Sequence, residues 1–499
     1  MEKTRCLIKV DAGAVLDPVD PRIYGQNIEH MGRQVLGGLI AETGSKAPQD
    51  GDNFRLDVLE SIKSLNPSLL RWPGGCFADS YRWKDGVGAN RPTVKNRMWG
   101  RFLAQHFFGN PPFPVGPVED NRFGTDEFMN LCRKTGAEPS ITASLGEDDP
   151  DEASAWIGYI KGRYGAGAVP AWSVGNEQWN PVEPGGCFLR PRKYVERFHR
   201  FAGKMREADK DVKLIACGGD VLIFPGWNRE IIRGIGESMD YLSMHLYTPA
   251  GIPFLSRIND SPEHYYAVAA SGLAVQEQIL CIEDLAEKLI GKSIPVSFDE
   301  WNILGPLRSF INPWRSMREA IGAAGIIHVF HRHANYVKIA AMFAMLNAAS
   351  PPIITTRDGV ILTPVFHILK LYREFTGKFS VRSETACPSI DIPKLINLPE
   401  RRSFPLLDAS ASIDGNRLTV FVINRDHSAS HEAQLEISGA GFSGTAEIHT
   451  VAASGYLSQN FENRPETVCE KTEEVELKEI LSFHPCSVNA IVMKKTETK

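Results

Sequence analysis

The chain has 499 residues, of which 43% are hydrophobic and 23% charged, with a formal net charge of −5. That length exceeds what one hydrophobic core ordinarily serves, so a large domain of about 300 residues with a smaller companion is expected. A slightly acidic chain provides no basic field for a nucleic-acid backbone, which excludes that class of partner.

Taken in order, Arg5 to Leu16 alternates loosely and reads as one strand, broken by Pro18 and Pro21. Tyr24 to His30 then looks like the first strand of a new domain. Helical spacing from Phe54 to Leu65 stops at Pro67, and Ser68 to Trp72 is a strand running into Pro73-Gly74-Gly75. The same alternation recurs. Helical segments at Thr125–Thr135, Asp149–Tyr159, Arg192–Ala208, Trp227–Ile235, Tyr265–Leu289 and Met317–Val329 each precede a short strand. Those strands are Glu138–Ser144, the run around Trp172, Lys213–Cys217, Tyr241–His245, the run around Val296, and Val337–Phe343. About eight βα units over roughly 350 residues is the arithmetic of a (β/α)₈ barrel. A doubly wound sheet would want a glycine-rich phosphate loop after its first strand, and Gly25-Gln26-Asn27 does not supply one. Beyond about Lys378 the chain reads as short strands only, among them Leu418–Asn424, Glu432–Ile437 and Val488–Met493, which indicates an all-β sandwich. The orphan first strand is free to complete it. The expected division is 1–20 as a strand joining the sandwich, 21–377 as the barrel and 378–499 as the sandwich.

Nine cysteines, an odd number with no CxxC pair, argue against a disulfide framework and fit a reducing compartment. The uncharged run from Ile339 to Thr356 is broken by Asn347, Ser350, Pro351 and Pro352, and Met1 to Asp11 has no apolar core of signal length. The expectations are cytoplasmic residence and no membrane partner.

Polar residues gather at the C-terminal strand ends, where a barrel places its active site: Glu29, His30, Arg71, Asn176, Glu177, His245, Tyr247, Asp299 and Glu300. Carboxylates, aromatic rings and one arginine are the chemistry of a carbohydrate site. Glu177 follows the run Ala171–Gly175, and Glu300 follows Ile294–Phe298. Paired at one mouth, they supply the general acid and the nucleophile that cleavage of a glycosidic bond requires. Like charges in proximity push their pKa values apart, so environment can separate the two roles. Asn176 is placed to bond a sugar hydroxyl beside the reacting carbon, and Glu29 and Arg71 to grip hydroxyls. His245 and Tyr247 alternate along a strand and share a face. No HExxH or HxH pair supports a metal, and no metal or cofactor is expected. His328, His331 and His333 are read as packing and capping residues. Residues Asn90 to Asp120, with Trp99, Phe102, Phe107, Phe108 and Phe113, have no periodicity and suggest a rim or lid.

Three blocks carry a family resemblance: Arg71-Trp72-Pro73-Gly74-Gly75-Cys76-Phe77-Ala78-Asp79, Trp172-Ser173-Val174-Gly175-Asn176-Glu177 and Ser297-Phe298-Asp299-Glu300-Trp301-Asn302. Together with Gly25–Gly32 and Asn121–Met129 they resemble glycoside hydrolase family 51, whose members are mostly α-L-arabinofuranosidases. The resemblance spans nearly the whole chain. It implies a retaining double displacement on a furanoside, with Glu177 as acid/base after barrel strand 4 and Glu300 as nucleophile after strand 7, an assignment that spacing leaves open. We assign substrate binding to Glu29, Arg71, Cys76, Asn176, His245, Tyr247 and Trp301; of these, Glu29, Arg71, Asn176 and Tyr247 match residues that hold the sugar in the family. The family's sandwich borrows the first strand, and many members form trimers or hexamers. Two positions depart from well-studied members, Cys76 where some carry Asn and Ala344 where ungapped counting expects Gln, and both bear on sugar preference.

The expected activity is release of terminal α-L-arabinofuranosyl residues from arabinose-containing oligosaccharides. The alternatives are another furanoside such as a β-D-galactofuranoside, internal β-glucan bonds, and a non-catalytic carbohydrate-binding protein. For a retaining enzyme the two carboxyl groups stand about 5–5.5 Å apart.

Overall fold

The computed structural model describes residues 5–96, 118–249, 258–304 and 313–495, apart from 182, 184, 189, 397, 399, 440, 443, 478 and 479. Strand β1 is Cys6–Pro18. Eight strands then close a parallel barrel in sequential order: β2 (Gly25–Asn27), β3 (Leu69–Trp72), β4 (Glu138–Ala143), β5 (Ala171–Val174), β6 (Lys213–Cys217), β7 (Tyr241–Thr248), β8 (Val296–Ile303) and β9 (Val337–Met342). Around it run helices α1 (Leu56–Leu65), α2 (Thr125–Thr135), α3 (Pro150–Tyr164), α4 (Pro191–Ala208), α5 (Pro225–Ile235), α6 (Pro262–Ala269), α7 (Ser271–Ile290), α8 (Met317–Arg332) and α9 (Pro364–Phe375).

Local chemistry explains the helix ends. Pro occupies the first helical position of α3, α4, α5, α6 and α9, where its missing N–H costs nothing. Ser316 and Glu319 form a capping box that starts α8. One expectation is corrected here. The segment from Tyr265 to Leu289 is two helices, divided at Ala270, because Ser261 and Pro262 start α6 early and Ala270 leaves the α region with ψ of 3°. Helix α9, which follows the barrel, was not read from the sequence.

Inside the barrel, Leu69, Ala171, Ile215, Ile339 and Ala341 form an apolar floor. Above it the inward positions turn polar. Strand β8 breaks its period of two there: its register shifts against β7 between Ser297 and Glu300, and against β9 between Phe298 and Trp301. Such an irregularity re-aims side chains. Asp299 and Glu300 both reach the interior, whereas Phe298 and Trp301 pack outward on Phe330 of α8, with ring centroids 5.6 Å away in each pair.

The second unit is a nine-stranded sheet curled around its own core. In chain order its remaining strands are β10 (Phe379–Ala386), β11 (Leu407–Asp414), β12 (Arg417–Asn424), β13 (His431–Ser438), β14 (Thr445–Ala452), β15 (Glu470–Glu476), β16 (Leu481–Phe483) and β17 (Ser487–Lys494). Across the sheet they run β15-β14-β17-β12-β11-β10-β1-β13-β16. Strand β1 sits between β10, antiparallel, and β13, parallel. It buries Cys6, Ile8, Val10 and Ala12 at alternate positions against Leu418, Val420 and Val422. Burial on the order of 1.5–3 kcal/mol per large aliphatic side chain holds it there.

Candidate active site

Arg71, at the end of β3, is buried to 1% exposure and spreads three contacts across the barrel mouth. Its Nη1 donates to Glu300 Oε2 at 3.2 Å, Nη2 to Asn176 Oδ1 at 2.8 Å, and Nε lies 3.5 Å from Asp299 Oδ2. The Tyr247 hydroxyl donates to Glu300 Oε1 in a short hydrogen bond. Asp299 accepts from Ser243 Oγ at 2.6 Å and Ser173 Oγ at 3.3 Å, so it serves as a buried strut between strands.

Glu177 adopts φ of +36°, a left-handed conformation that is rare for a residue with a side chain and concentrated at functional sites. Asn180 Nδ2 donates to its Oε2 at 2.9 Å, and His245 Nδ1 lies 2.9 Å from its Oε1. One carboxylate oxygen each of Glu177 and Glu300 and a ring nitrogen of His245 all lie within 4.8 Å of one another.

The electrostatics turn on His245. Burial works against its charge, but Glu300, Asp299 and Glu177 outweigh burial and raise the imidazole to about 10. Burial would raise Glu177, yet the hydrogen bond and charge of His245, with Asn180 and Arg71, keep it below the ordinary carboxylate range. Glu300 is pushed up, by burial first and by the charge of Glu177, against the opposing pull of His245, Arg71 and Tyr247. In the substrate-free site these directions are the reverse of the expected acid and nucleophile, and the imidazolium against Glu177 is the reason.

The Pro73-Gly74-Gly75 turn owes its composition to close approach. A Cβ on Gly75 would stand 2.7 Å from Glu300 Oε2, and one on Gly74, at φ of +115°, 2.3 Å from Glu29 Cβ. Glu29 Oε1 accepts from the Phe77 N–H at 2.8 Å, which ties the strand β2 end to that turn. Beneath, Asp79 accepts from the N–H groups of Leu145 and Asn176 at 2.7 and 3.0 Å and from Gln178 Nε2 at 2.6 Å. It thereby joins the loops after β4 and β5; burial lifts its pKa to about 6.

Residues 61–258 match the model of the α-L-arabinofuranosidase 1 domain, and 299–487 match the α-L-arabinofuranosidase C-terminal domain. An intracellular exo-α-L-arabinofuranosidase of Bacteroides ovatus is 29% identical over 81% of this chain and 78% of its own. An intracellular exo-α-(1→5)-L-arabinofuranosidase of Bacillus subtilis is 28% identical over 99% and 100%. The solved family 51 α-L-arabinofuranosidase of Thermotoga petrophila superposes with a TM-score of 0.84 at 27% identity, over 98% of this chain and 99% of that one. The chain belongs to glycoside hydrolase family 51. An arabinose complex of the α-L-arabinofuranosidase from Thermotoga maritima has the same TM-score, 0.84, at 28% identity, over 98% of this chain and all of that one (100%).

In this family 51 chain the site assembles Glu29, Arg71, Cys76, Asn176, Glu177, His245, Tyr247 and Glu300 at one mouth. Trp301 does not join them, which corrects its assignment to substrate binding: the shift in β8 turns it outward to Phe330, and it is 1% exposed. His30 also leaves the sugar site, since its Nε2 accepts from Trp72 Nε1 at 3.0 Å and its Nδ1 lies 3.1 Å from Glu119. Ala344 is buried beside Met31, Phe343 and Ala348, with Tyr247 against them. The aromatic residues of the Asn90 to Asp120 segment lie outside the described residues; flanking them, Val94–Lys95 pairs with Val118–Glu119. Two residues gave no signal of their own in the sequence, Asn180 and Glu183. Both sit on the loop after Glu177 and become visible only once that loop folds over the mouth. Among the described residues, donor atoms within 4.8 Å of one another form two sets able to chelate a cation, Cys76–Glu177–Glu183 and Glu177–His245–Glu300; the first includes Glu177 and the second both Glu177 and Glu300. No helix of the described residues is long and apolar enough to cross a membrane.

Proposed function

We propose that this protein is a retaining exo-α-L-arabinofuranosidase that removes terminal arabinofuranosyl residues from arabinose-containing oligosaccharides. The observation that carries the reading is the approach of Glu177 and Glu300 to within 4.8 Å at the ends of β5 and β8. Glu300 attacks the anomeric carbon while Glu177 protonates the leaving oxygen; Glu177 then deprotonates the water that releases the sugar. Arg71 and Tyr247 both donate to Glu300 and favour its ionised form. The two carboxyl groups titrate as a pair, and the reactive arrangement has the shared proton on Glu177. His245, 2.9 Å from Glu177 and held protonated, sets where that proton rests, because its charge favours the ionised form of both carboxylates. Asn176, Arg71, Glu29 and Cys76 hold sugar hydroxyls.

The test is release from an aryl α-L-arabinofuranoside against a panel of aryl β-D-galactofuranoside, xyloside and glucoside, with a β-glucan as polymer. Glu300→Ala is expected to lose at least about 10⁴-fold in kcat. Glu177→Ala on a good leaving group is expected to recover turnover with azide and to give the azide product with retained configuration. Inverted product, or activity on another member of the panel and none on the arabinofuranoside, sinks the reading. Cytoplasmic residence and a trimer or hexamer belong to the same proposal; light scattering of the purified protein measures the second.

A further inference from the structure

Glu183 stands behind the sugar-holding residues, on the loop that follows Glu177, and is 5% exposed. Its Oε1 accepts from Asn176 Nδ2 at 3.1 Å, while its Oε2 is buried with no hydrogen-bond partner among the described residues. The Cys76 sulfur and one oxygen each of Glu177 and Glu183 lie within 4.8 Å of one another. The groups facing Glu183 are thus Cys76, Asn176, Glu177 and, through its charge, Asp79; Arg71 and His245 spend their contacts on other carboxylates. An ionised Glu183 would leave one carboxylate oxygen buried and unbonded beside two further carboxylates, with no ion pair to a cation among the described residues.

We infer that Glu183 is a positioning residue of the sugar subsite, a neutral carboxylic acid that aims the Asn176 amide at the substrate and backs the Cys76 thiol. The inference rests on the glycosidase reading above. The amide of Asn176 has four hydrogen-bonding positions, two on each atom. Arg71 takes Oδ1 and Glu183 takes one Nδ2 proton, so the second Nδ2 proton is left as a donor whose direction both contacts determine. A hydroxyl beside the reacting carbon is the group such a donor serves, and that bond strengthens in the transition state. Burial, with the charges of Asp79 and Glu177, pushes Glu183 well up from the usual range, and the contacts from Cys76 and Asn176 offset only part of this. A neutral Glu183 lets the negative charge beside the reacting carbon remain on Glu300.

The experiment compares wild type, Glu183→Gln and Glu183→Ala on an alkyl α-L-arabinofuranoside, whose poor leaving group makes the rate depend on Glu177 as acid. If the wild type cleaves another glycoside instead, the arabinofuranoside reading falls and the variants are compared on that substrate. Glu183→Gln retains an acceptor for Asn176 and is expected to keep kcat/KM within about threefold. Glu183→Ala is expected to lose at least about tenfold, in kcat more than in KM, as a contact made mainly in the transition state should. The alkaline limb of the pH profile separates charge from packing: replacing an ionised Glu183 by Gln would remove a negative neighbour and move that limb acidward, whereas replacing a neutral one leaves it in place. An acidward movement of about one pH unit or more in Glu183→Gln, or wild-type kcat in a folded Glu183→Ala, overturns the inference. Should Glu183→Ala fail to fold, the rate and limb of Glu183→Gln decide alone.

Discussion

His245 governs the charge state of both Glu177 and Glu300, because its Nδ1 is 2.9 Å from Glu177 and 3.6 Å from Glu300. Replacing it by Asn removes the cation that keeps Glu177 low. The sign follows directly: a carboxylate that loses an adjacent positive charge holds its proton to higher pH, so the alkaline limb of kcat/KM in His245→Asn should move to higher pH by about one unit or more. A limb that stays in place, read from the same pH profile, would remove His245 from the proton economy and leave it a packing residue. Asp299 shows the complementary case. Burial would raise it, yet Arg71, His245 and Ser243 hold it low, so it stays a charged strut and does not compete for the shared proton.

At the scale of elements, two short irregularities place the chemistry. The shift in β8 brings Asp299 and Glu300 inward together, which no regular strand does. The Pro73-Gly74-Gly75 turn lets backbone approach Glu300 where a side chain cannot fit. Gly75→Ala is accordingly expected to displace the Glu300 carboxylate and lower kcat by about 10²-fold, the cost of a misplacement on the order of 1 Å. Gly75 has no positive φ, so its melting temperature should change little; kinetics and a melting curve on one preparation measure both. Wild-type kcat in Gly75→Ala would mean that Glu300 tolerates the shift.

For the whole molecule, we propose that residues 1–20 and 378–499 form one β unit docked on the barrel unit of 21–377. Helix α8 carries much of that contact. His328 Nδ1 lies 3.0 Å from Asp408 Oδ2, Arg425 Nη2 donates to the same oxygen at 2.6 Å, and Arg332 donates to Oδ1. His331 joins Tyr24 at 2.6 Å to Ser410 at 3.2 Å, and Tyr372 of α9 stacks on Phe421 with centroids 4.4 Å apart. The packing role expected for His328 and His331 is therefore interdomain. Asp408→Asn leaves the buried Arg425 without its counter-charge and should cost about 3 kcal/mol, seen as a lower denaturation midpoint. The same interface makes the fold sensitive to acid. Burial holds His328 down to about 4, below the ordinary imidazole value of about 6.5. Burial also holds His331 well below its usual value. As pH falls through about 6.5 the unfolded chain takes up protons that the folded chain refuses, so stability should decline progressively from about pH 6.5 toward about 4. Melting temperatures measured across that interval test it; a flat curve contradicts it.

The sequence by itself determined the architecture. Apolar runs of strand length alternate with helical spacing, and burial rewards that periodicity wherever the chain lies, so the barrel, the β unit and the returning β1 were all legible. It also placed Arg71, Asn176, Glu177, His245, Tyr247 and Glu300 at the barrel mouth, because a residue at the C-terminal end of a barrel strand is directed there by the strand alone. What only the tertiary structure decided depends on contacts between distant segments. The parity of β8 is one: Trp301, two residues beyond the inward-facing Asp299, would face inward in a regular strand and was read as facing the sugar, but the register shift turns it outward. The charge states are another, since the proton balance among Glu177, Glu300, His245 and Glu183 follows from distances of a few ångströms between the ends of β5, β7 and β8 and the loop after β5, and Coulomb energy at that range is set by fold, not by spacing along the chain.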